Sequence, residues 1–282
     1  MRLIKPSYSI WEQEPGLKGI YKAIERAGRV CYKSEDKITE DSAEGFVDRI
    51  IKSQHYAMLE HGTVYLKVPY RTNKGRLLHE NITDFYLVNK YSSIRCIIDD
   101  AWYITTNYRV IIENKRTDDL KYLHEPTEFH EKRVTVHFVA DAGVMREFFR
   151  HRVFSMAQES TRYCNYSKNK FGSELTFILP PWVNKNPKDI DHTPYADVLF
   201  REHLLKVEKA YLKLLQEGWS PQQARSVLPL CIKAEGVMTG LVEDWKHFFN
   251  LRALGTTGAP HPQAKELAEP LFEEFKAKGL IK

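Results

Sequence analysis

The chain has 282 residues, 43% of them hydrophobic and 28% charged, the balance of an ordinary folded domain and not of a disordered or fibrous chain. A formal net charge of +5 is too small to mark a nucleic-acid or membrane-surface protein by itself, so the placement of the arginines matters more than their number. No apolar run has the length of a membrane span and the apolar stretch at Met1–Pro6 is too short for a secretory leader; Cys31, Cys96, Cys164 and Cys231 form no Cys-x-x-Cys pair, which argues against a zinc cage or disulfide scaffold and fits a reducing, cytoplasmic setting.

Leu17, Ile20, Tyr21 and Ile24 recur at helical spacing and predict a first amphipathic helix. A second follows Asp41, a candidate N-cap with Glu44 three residues on, and turns Phe46, Val47, Ile50 and Ile51 inward. Val64, Leu66 and Val68 alternate with Tyr65 and Lys67 as in a half-buried strand; Val134, Val136 and Phe138 repeat the pattern, and Tyr103–Ile112 is rich in strand formers. Val144, Met145, Phe148 and Phe149 share a helical face. A long helix is expected over Tyr195–Gln216, opened by Thr193-Pro194 and stopped by Gly218, then a short one from Ser220-Pro221 to Pro229, and helices over Trp245–Leu254 and Gln263–Lys278. There is no repeat and no long Gly/Ser/Pro linker. The expectation is one α+β domain over residues 1–282, a mixed or antiparallel sheet flanked by long helices.

The densest chemistry runs from Arg146 to Tyr163. Arg150, His151 and Arg152 follow the apolar face just described, and Gln158, Glu159, Ser160 and Arg162 crowd the stretch after it. Arginine forks match phosphate oxygens two at a time, and a serine hydroxyl completes such a cradle. A solvated basic face is the plain alternative, but Phe148, Phe149 and Phe154 set these arginines beside the core, where a cation needs a partner. Three readings stand side by side. One is an enzyme site for a nucleotide and a phosphate-bearing cofactor. The second is a nucleic-acid module, against which acids are interleaved with bases elsewhere (Glu40, Asp41, Glu44; Asp118, Asp119; Glu273, Glu274). The third is a metal hydrolase, for which the 11 histidines offer no His-x-x-x-His or His-Glu-x-x-His spacing, so no metal is expected.

Arg150-His151-Arg152, seven residues and then Ser160, followed by Arg162-Tyr163, resembles the motif of the flavin-dependent thymidylate synthases. Further landmarks occur in the family's order: His55 with Glu60-His61 five residues on, Ala224-Arg225-x-x-Leu228-Pro229, Phe248-x-x-Leu251-Arg252, and His261-x-Gln263. The resemblance covers about three-quarters of the chain, discontinuously. It implies reductive methylation of dUMP to dTMP, with 5,10-methylene-tetrahydrofolate as carbon donor and FAD, reloaded by NADPH, as hydride carrier. It implies a homotetramer whose sites are shared between subunits, acting on neither nucleic acid nor membrane. Carried over by position, His55, Glu60, Arg150, His151, Arg152 and His247 would lie at FAD. Glu147, Arg150, Gln158, Glu159, Ser160, Thr161, Arg162, Arg225 and Arg252 would contact dUMP, with Ser160 and Arg162 at its phosphate and Arg252 against the uracil; Arg252 and Ser160 are the expected catalytic pair.

Each of these residues has a plain rival role: His61 and His247 as hydrogen-bonded core histidines, Arg225 as a carbonyl cap, Arg252 as a cation at a helix C-terminus, Ser160 as a helix cap. The chain also departs from the family. Glu147 stands where a glutamine is usual and Gln158 where a glutamate is usual, as if the two were exchanged. Ala57 replaces a flavin-contacting Ser or Thr, and Leu241 and Glu243 replace an Asn and an Arg that often meet FAD. An insert at about 70–133 has no counterpart in the resemblance and no assigned role.

Overall fold

The computed structural model describes residues 1–69, 82–96, 101–183 and 194–281, with the Cys96 side chain outside that set. The expected role of Thr193 at the start of the long helix and parts of the 70–133 insert (70–81 and 97–100) lie outside the described residues.

The main sheet is antiparallel throughout, in the order β2 (Ser7–Trp11), β6 (Arg133–Asp141), β9 (Lys233–Leu241), β7 (Ser155–Gln158). Alternation along β6 sends Val134, Val136, Phe138 and Ala140 to one face, where α5 (Ala142–Phe148), α8 (Val242–Arg252) and α9 (Pro262–Ala277) bury Met145, Phe148, Trp245, Phe248, Phe249 and Phe275 against them. Each phenyl so buried contributes roughly 1.5–3 kcal/mol. On the other face Ala157 and Val237 meet Ala27 and Val30 of α1 (Gly16–Tyr32). The long α6 (Tyr195–Gln216) has the predicted bounds, is followed after its cap by Gly218 with φ +93°, and covers a parallel pair, β1 (Arg2–Ile4) with β8 (Thr176–Ile178). Together these elements make the α+β fold expected from the sequence. Among the described residues no helix is long and apolar enough to cross a membrane.

Several local expectations are corrected. Val64–Val68 does form β3 (Thr63–Pro69), but β3 does not share a sheet with β6. It pairs instead with β5 (Ala101–Asn107), and β5 with β4 (Ser93–Cys96), in a separate three-stranded sheet. That sheet and the short α4 (Tyr108–Glu113) pack on Ile20 and Ile24 of α1 and on Phe46 and Val47 of α2 (Ser42–Lys52), so the insert shares its core with the first two helices. The strand-rich run Tyr103–Ile112 breaks at Asn107, whose side-chain oxygen accepts the Val110 N–H at 3.1 Å and starts α4. Asp41 occupies the N-cap position of α2 but makes no capping bond; its carboxylate lies 3.7 Å from Lys18 Nζ, and the Ser42 hydroxyl accepts the Thr39 N–H instead. α8 begins three residues before Trp245, because the Asp244 carboxylate accepts the Leu241 N–H at 3.1 Å.

Candidate active site

α5 is set by its own first turn. Asp141 caps it by accepting the Val144 N–H at 2.8 Å, and the other carboxylate oxygen takes the Gln263 amide at 2.6 Å. The buried Gln263 of the His261-x-Gln263 landmark thereby ties the start of α9 to the start of α5. At the far end of α5 the chain turns so that His151 points inward, while Arg150 and Arg152 stand in solvent with no carboxylate partner among the described residues.

α8 delivers Arg252 to the same place. Its Nη1 donates to Glu147 Oε2 at 2.7 Å, its Nη2 to the Glu147 carbonyl at 3.0 Å, and its Nε to His151 Nε2 at 3.2 Å. Because the guanidinium can only donate, His151 Nε2 is the acceptor and the ring proton sits on Nδ1. Burial, with the nearby Arg252 and His247, pushes the His151 pKa down to about 4. The ring is packed at 5.1 Å from Phe248 and 5.9 Å from the exposed His247. Glu147, His151, His247 and Arg252 thus form one group with a planar cation fixed on three sides.

A second group gathers beyond β7. The Glu159 N–H bonds the Glu235 carbonyl at 2.8 Å and the Ser160 N–H bonds the Cys31 carbonyl at 2.9 Å, which pins the following turn to β9 and α1. Within the turn Ser160 Oγ accepts the Arg162 N–H at 3.3 Å. Thr161 Oγ1 accepts from Arg225 Nη1 at 3.3 Å, and Arg162 reaches Gln222 at 3.5 Å, so the half-buried Ser160 and Thr161 and the exposed Arg162 and Arg225 share one surface. Gln158, opposite Gly236 in the register, lies on the sheet face that carries α5. The Glu159 side chain turns the other way. It is buried and accepts from Tyr166 Oη at 3.0 Å and Lys233 Nζ at 2.7 Å, which leaves its backbone as the part near the turn's surface. Lys233 continues to Glu235, which also binds Lys33 and His137. Burial alone would raise the Glu235 carboxyl, but the His137 hydrogen bond and the two ammonium groups bring it well below the usual carboxylate range.

The His55–His61 segment is a 3-10 turn beside α1. His55 and Ala57 line a cavity of about 670 Å³ whose wall includes Tyr32, Phe46, Ile50 and Met58. Cys31 lines the same cavity while its carbonyl holds Ser160, so cavity and turn are neighbours. His61 is fully buried: Nδ1 meets Thr239 Oγ1 at 2.9 Å, and burial, reinforced by Arg133, pushes its pKa down to about 3. It is thus packed in the core, as the plain alternative for this histidine expects. Glu60 does not face the cavity directly; it accepts from Arg109 Nη1 at 2.7 Å. Arg109 belongs to the insert, lines the cavity, and went unmarked in the sequence, where only its i,i+4 spacing from Glu113 stands out.

The sequence pattern of the thymidylate synthase complementing protein family matches residues 102–278. The chain belongs to this family. Similar proteins include a flavin-dependent thymidylate synthase of Thermococcus onnurineus, 33% identical over 107 residues that make up 38% of this chain and 40% of that one. Another, from Corynebacterium aurimucosum, is 22% identical over 253 residues, covering 86% of this chain and 72% of that one. The chain spans about two fifths of the length of the Thermococcus onnurineus relative and of the one from Pyrococcus abyssi. Among solved structures, a UMP/dUMP methylase of Streptomyces cacaoi aligns over 98% of this chain and 92% of its own at 15% identity, with a TM-score of 0.48.

The family match takes in Glu147–Arg162, Arg225, His247 and Arg252, whereas His55–His61 lies before its first residue and rests on the motif alone. Within the family frame, the exchange of Glu147 and Gln158 has a local meaning: an acid at position 147 gives Arg252 a carboxylate, which a glutamine could not. Of the three substituted positions Ala57 lines the cavity, whereas Leu241 and Glu243 are not among its described wall residues; Glu243 is exposed and pairs with Lys246 at 2.8 Å. Among the described residues the Glu147–Arg252 group and the Ser160–Arg225 group share no hydrogen bond, ion pair or ring contact.

Proposed function

We propose that the chain is a flavin-dependent thymidylate synthase that converts dUMP to dTMP, taking the carbon from 5,10-methylene-tetrahydrofolate and the reducing equivalents, by way of FAD, from NADPH. The observation that carries this reading is the guanidinium of Arg252, held rigid by Glu147 and His151, in a chain that also presents Arg150, Arg152, Arg162 and Arg225 without carboxylate partners among the described residues. Unpaired exposed arginines suit a phosphate, and a fixed one suits a charge that develops during reaction.

In this reading Ser160, Thr161, Arg162 and Arg225 hold the nucleotide phosphate. Arg252 lies against the N3/O4 edge of uracil and stabilises the negative charge that builds there as carbon 5 becomes nucleophilic; the planar fork needs no reorganisation at that moment. His151, neutral with its proton on Nδ1, remains a donor beside it. The cavity next to His55 suits a flavin, with Phe46, Ile50 and Met58 for a planar ring system and Arg109 and His55 for its polar parts. Bound there, the flavin supplies hydride transfer, and the protein's task is to keep nucleotide, folate and flavin in order. Because the two residue groups share no hydrogen bond, ion pair or ring contact among the described residues, the reading also takes each site as assembled from more than one subunit of a homotetramer.

The test is a visible absorption spectrum of the purified protein with added FAD, followed by an assay of dUMP methylation with NADPH and methylene-tetrahydrofolate. Flavin absorbance that NADPH bleaches and dUMP-dependent dTMP formation are expected. A colourless protein that takes up no added FAD would overturn the reading, and affinity for duplex or RNA that falls steeply with salt would replace it with a nucleic-acid function.

A further inference from the structure

The 70–133 insert reaches the cavity beside His55 through one helix. Arg109 and Glu113 of α4 both line it, and among the described residues on its wall Arg109 is the only arginine or lysine. The guanidinium is shared between two carboxylates. Nη1 donates to Glu60 Oε1 at 2.7 Å, while Nε and Nη2 form a fork onto Glu113 Oε2 and Oε1 at 2.8 and 2.9 Å.

These two partners are not equivalent. Glu60 is the less exposed, its side chain 26% accessible against 35% for Glu113, and its backbone carbonyl is fixed by Arg133 at 3.0 Å. Glu113 sits four residues along the same helix as the more accessible partner, so solvent screens and competes for that pair more than for the pair with Glu60. The fork geometry that Glu113 occupies is also the geometry in which arginine takes two phosphate oxygens. Glu113 therefore stands where a phosphate would stand.

We propose that Arg109 is the phosphate-binding cation of this cavity: it keeps Glu60 and exchanges Glu113 for a phosphate group of the cofactor. The inference rests on the flavin reading above and assigns the insert a part in it. Arg109 holds the His55–His61 segment by one edge and the cofactor by the other, so the insert closes the cavity's polar side.

Affinities of the folded protein for FAD, FMN and riboflavin, measured by flavin fluorescence, separate a phosphate contact from a structural one. Parent protein should bind FAD and FMN more tightly than riboflavin. Arg109→Met should weaken FAD and FMN by about tenfold or more and leave riboflavin within about twofold, the loss expected for one charge-assisted contact. Glu113→Gln, which frees the fork without removing it, should tighten FAD and FMN relative to riboflavin, and this arm decides if Arg109→Met does not fold. Equal weakening of all three flavins in Arg109→Met, a parent that does not discriminate FAD from riboflavin, or an unchanged ratio in Glu113→Gln would each overturn the role of Arg109 alone. A parent that binds none of the three would overturn the functional reading and this inference with it.

Discussion

At the residue scale, Arg252 meets three fixed acceptors, and each asks for a different edge of a planar group. A lysine keeps the charge but offers one rotating ammonium, so it can satisfy Glu147 or His151 and, on the proposed reading, cannot hold a plane against a uracil ring. Arg252→Lys is expected to lower turnover by far more than it weakens dUMP binding, read from kcat and an independent dUMP Kd; losses of equal size would make Arg252 an ordinary binding residue. His151 and His61 lead to a pH effect of definite sign. Both are held well below the ordinary 6.5, at about 4 and about 3. The unfolded chain therefore takes up protons below pH 6.5 that the native protein refuses, so stability that is full above pH 6.5 is lost as pH falls towards 4. Tm should drop between pH 6.5 and 5, above the carboxylate range, and His151→Gln should flatten that drop; an unaltered slope would count against the buried neutral ring. The thiols point to a third outcome. Burial raises Cys31, pushes Cys164 up to about 12 and Cys231 to about 11, the reverse of what a nucleophilic cysteine needs. Replacing all four cysteines by serine or alanine should leave dUMP methylation within about tenfold of parent, allowing a folding cost of ~1 kcal/mol or more per buried site. Abolished activity in a folded, flavin-bearing variant would require a different mechanism.

At the scale of elements, what the sequence disclosed followed periodicity. α1, α2, α6 and α9 present regular apolar faces and were legible, as were β3 and β6 with their strict alternation. β9, the strand that both β6 and β7 pair with, was not. Its run Lys233–Leu241 carries Gly236 and Gly240 on the face where side chains would be expected, which breaks the apolar alternation. The reason for the glycines is tertiary and invisible in one sequence: a Cβ at Gly236 would sit 2.7 Å from Met145 Sδ, and one at Gly240 2.5 Å from the Phe154 ring. Gly240→Ala should therefore destabilise by roughly 1–3 kcal/mol through overpacking, measurable as a lowered denaturant midpoint at unchanged m-value. No change would show that Phe154 yields freely. The candidate site divides in the same way. His151, Arg252, Ser160 and Arg225 stood out by motif, whereas the partners that orient them (Glu147 on Arg252, Cys31 on Ser160) and the cavity-lining Arg109 come from distant positions and needed the fold to be seen.

At the scale of the whole molecule, the separation of the two residue groups becomes a matter of assembly. If each site takes Arg252 from one subunit and Arg225 from another, two inactive variants should complement. Arg252→Ala mixed with Arg225→Ala, unfolded and refolded together, would regain up to about a quarter of parent activity, since that share of sites in a random mixture receives both intact halves. A mixture no more active than its parts would place both groups of each site in one chain.

The two sheets also differ in when they can exist. The core around β3, β4, β5, α1, α2 and α4 draws on a continuous stretch that ends at Leu123, whereas β6 lacks one neighbour until β9 has been made, beginning at Lys233. At ordinary synthesis rates that interval lasts roughly 5 to 20 seconds, during which one side of β6 is an open edge on a nascent chain. Soluble yield should then depend on the speed of translation between the two points, and on chaperones that cover the edge meanwhile, more than on the stability of the finished protein.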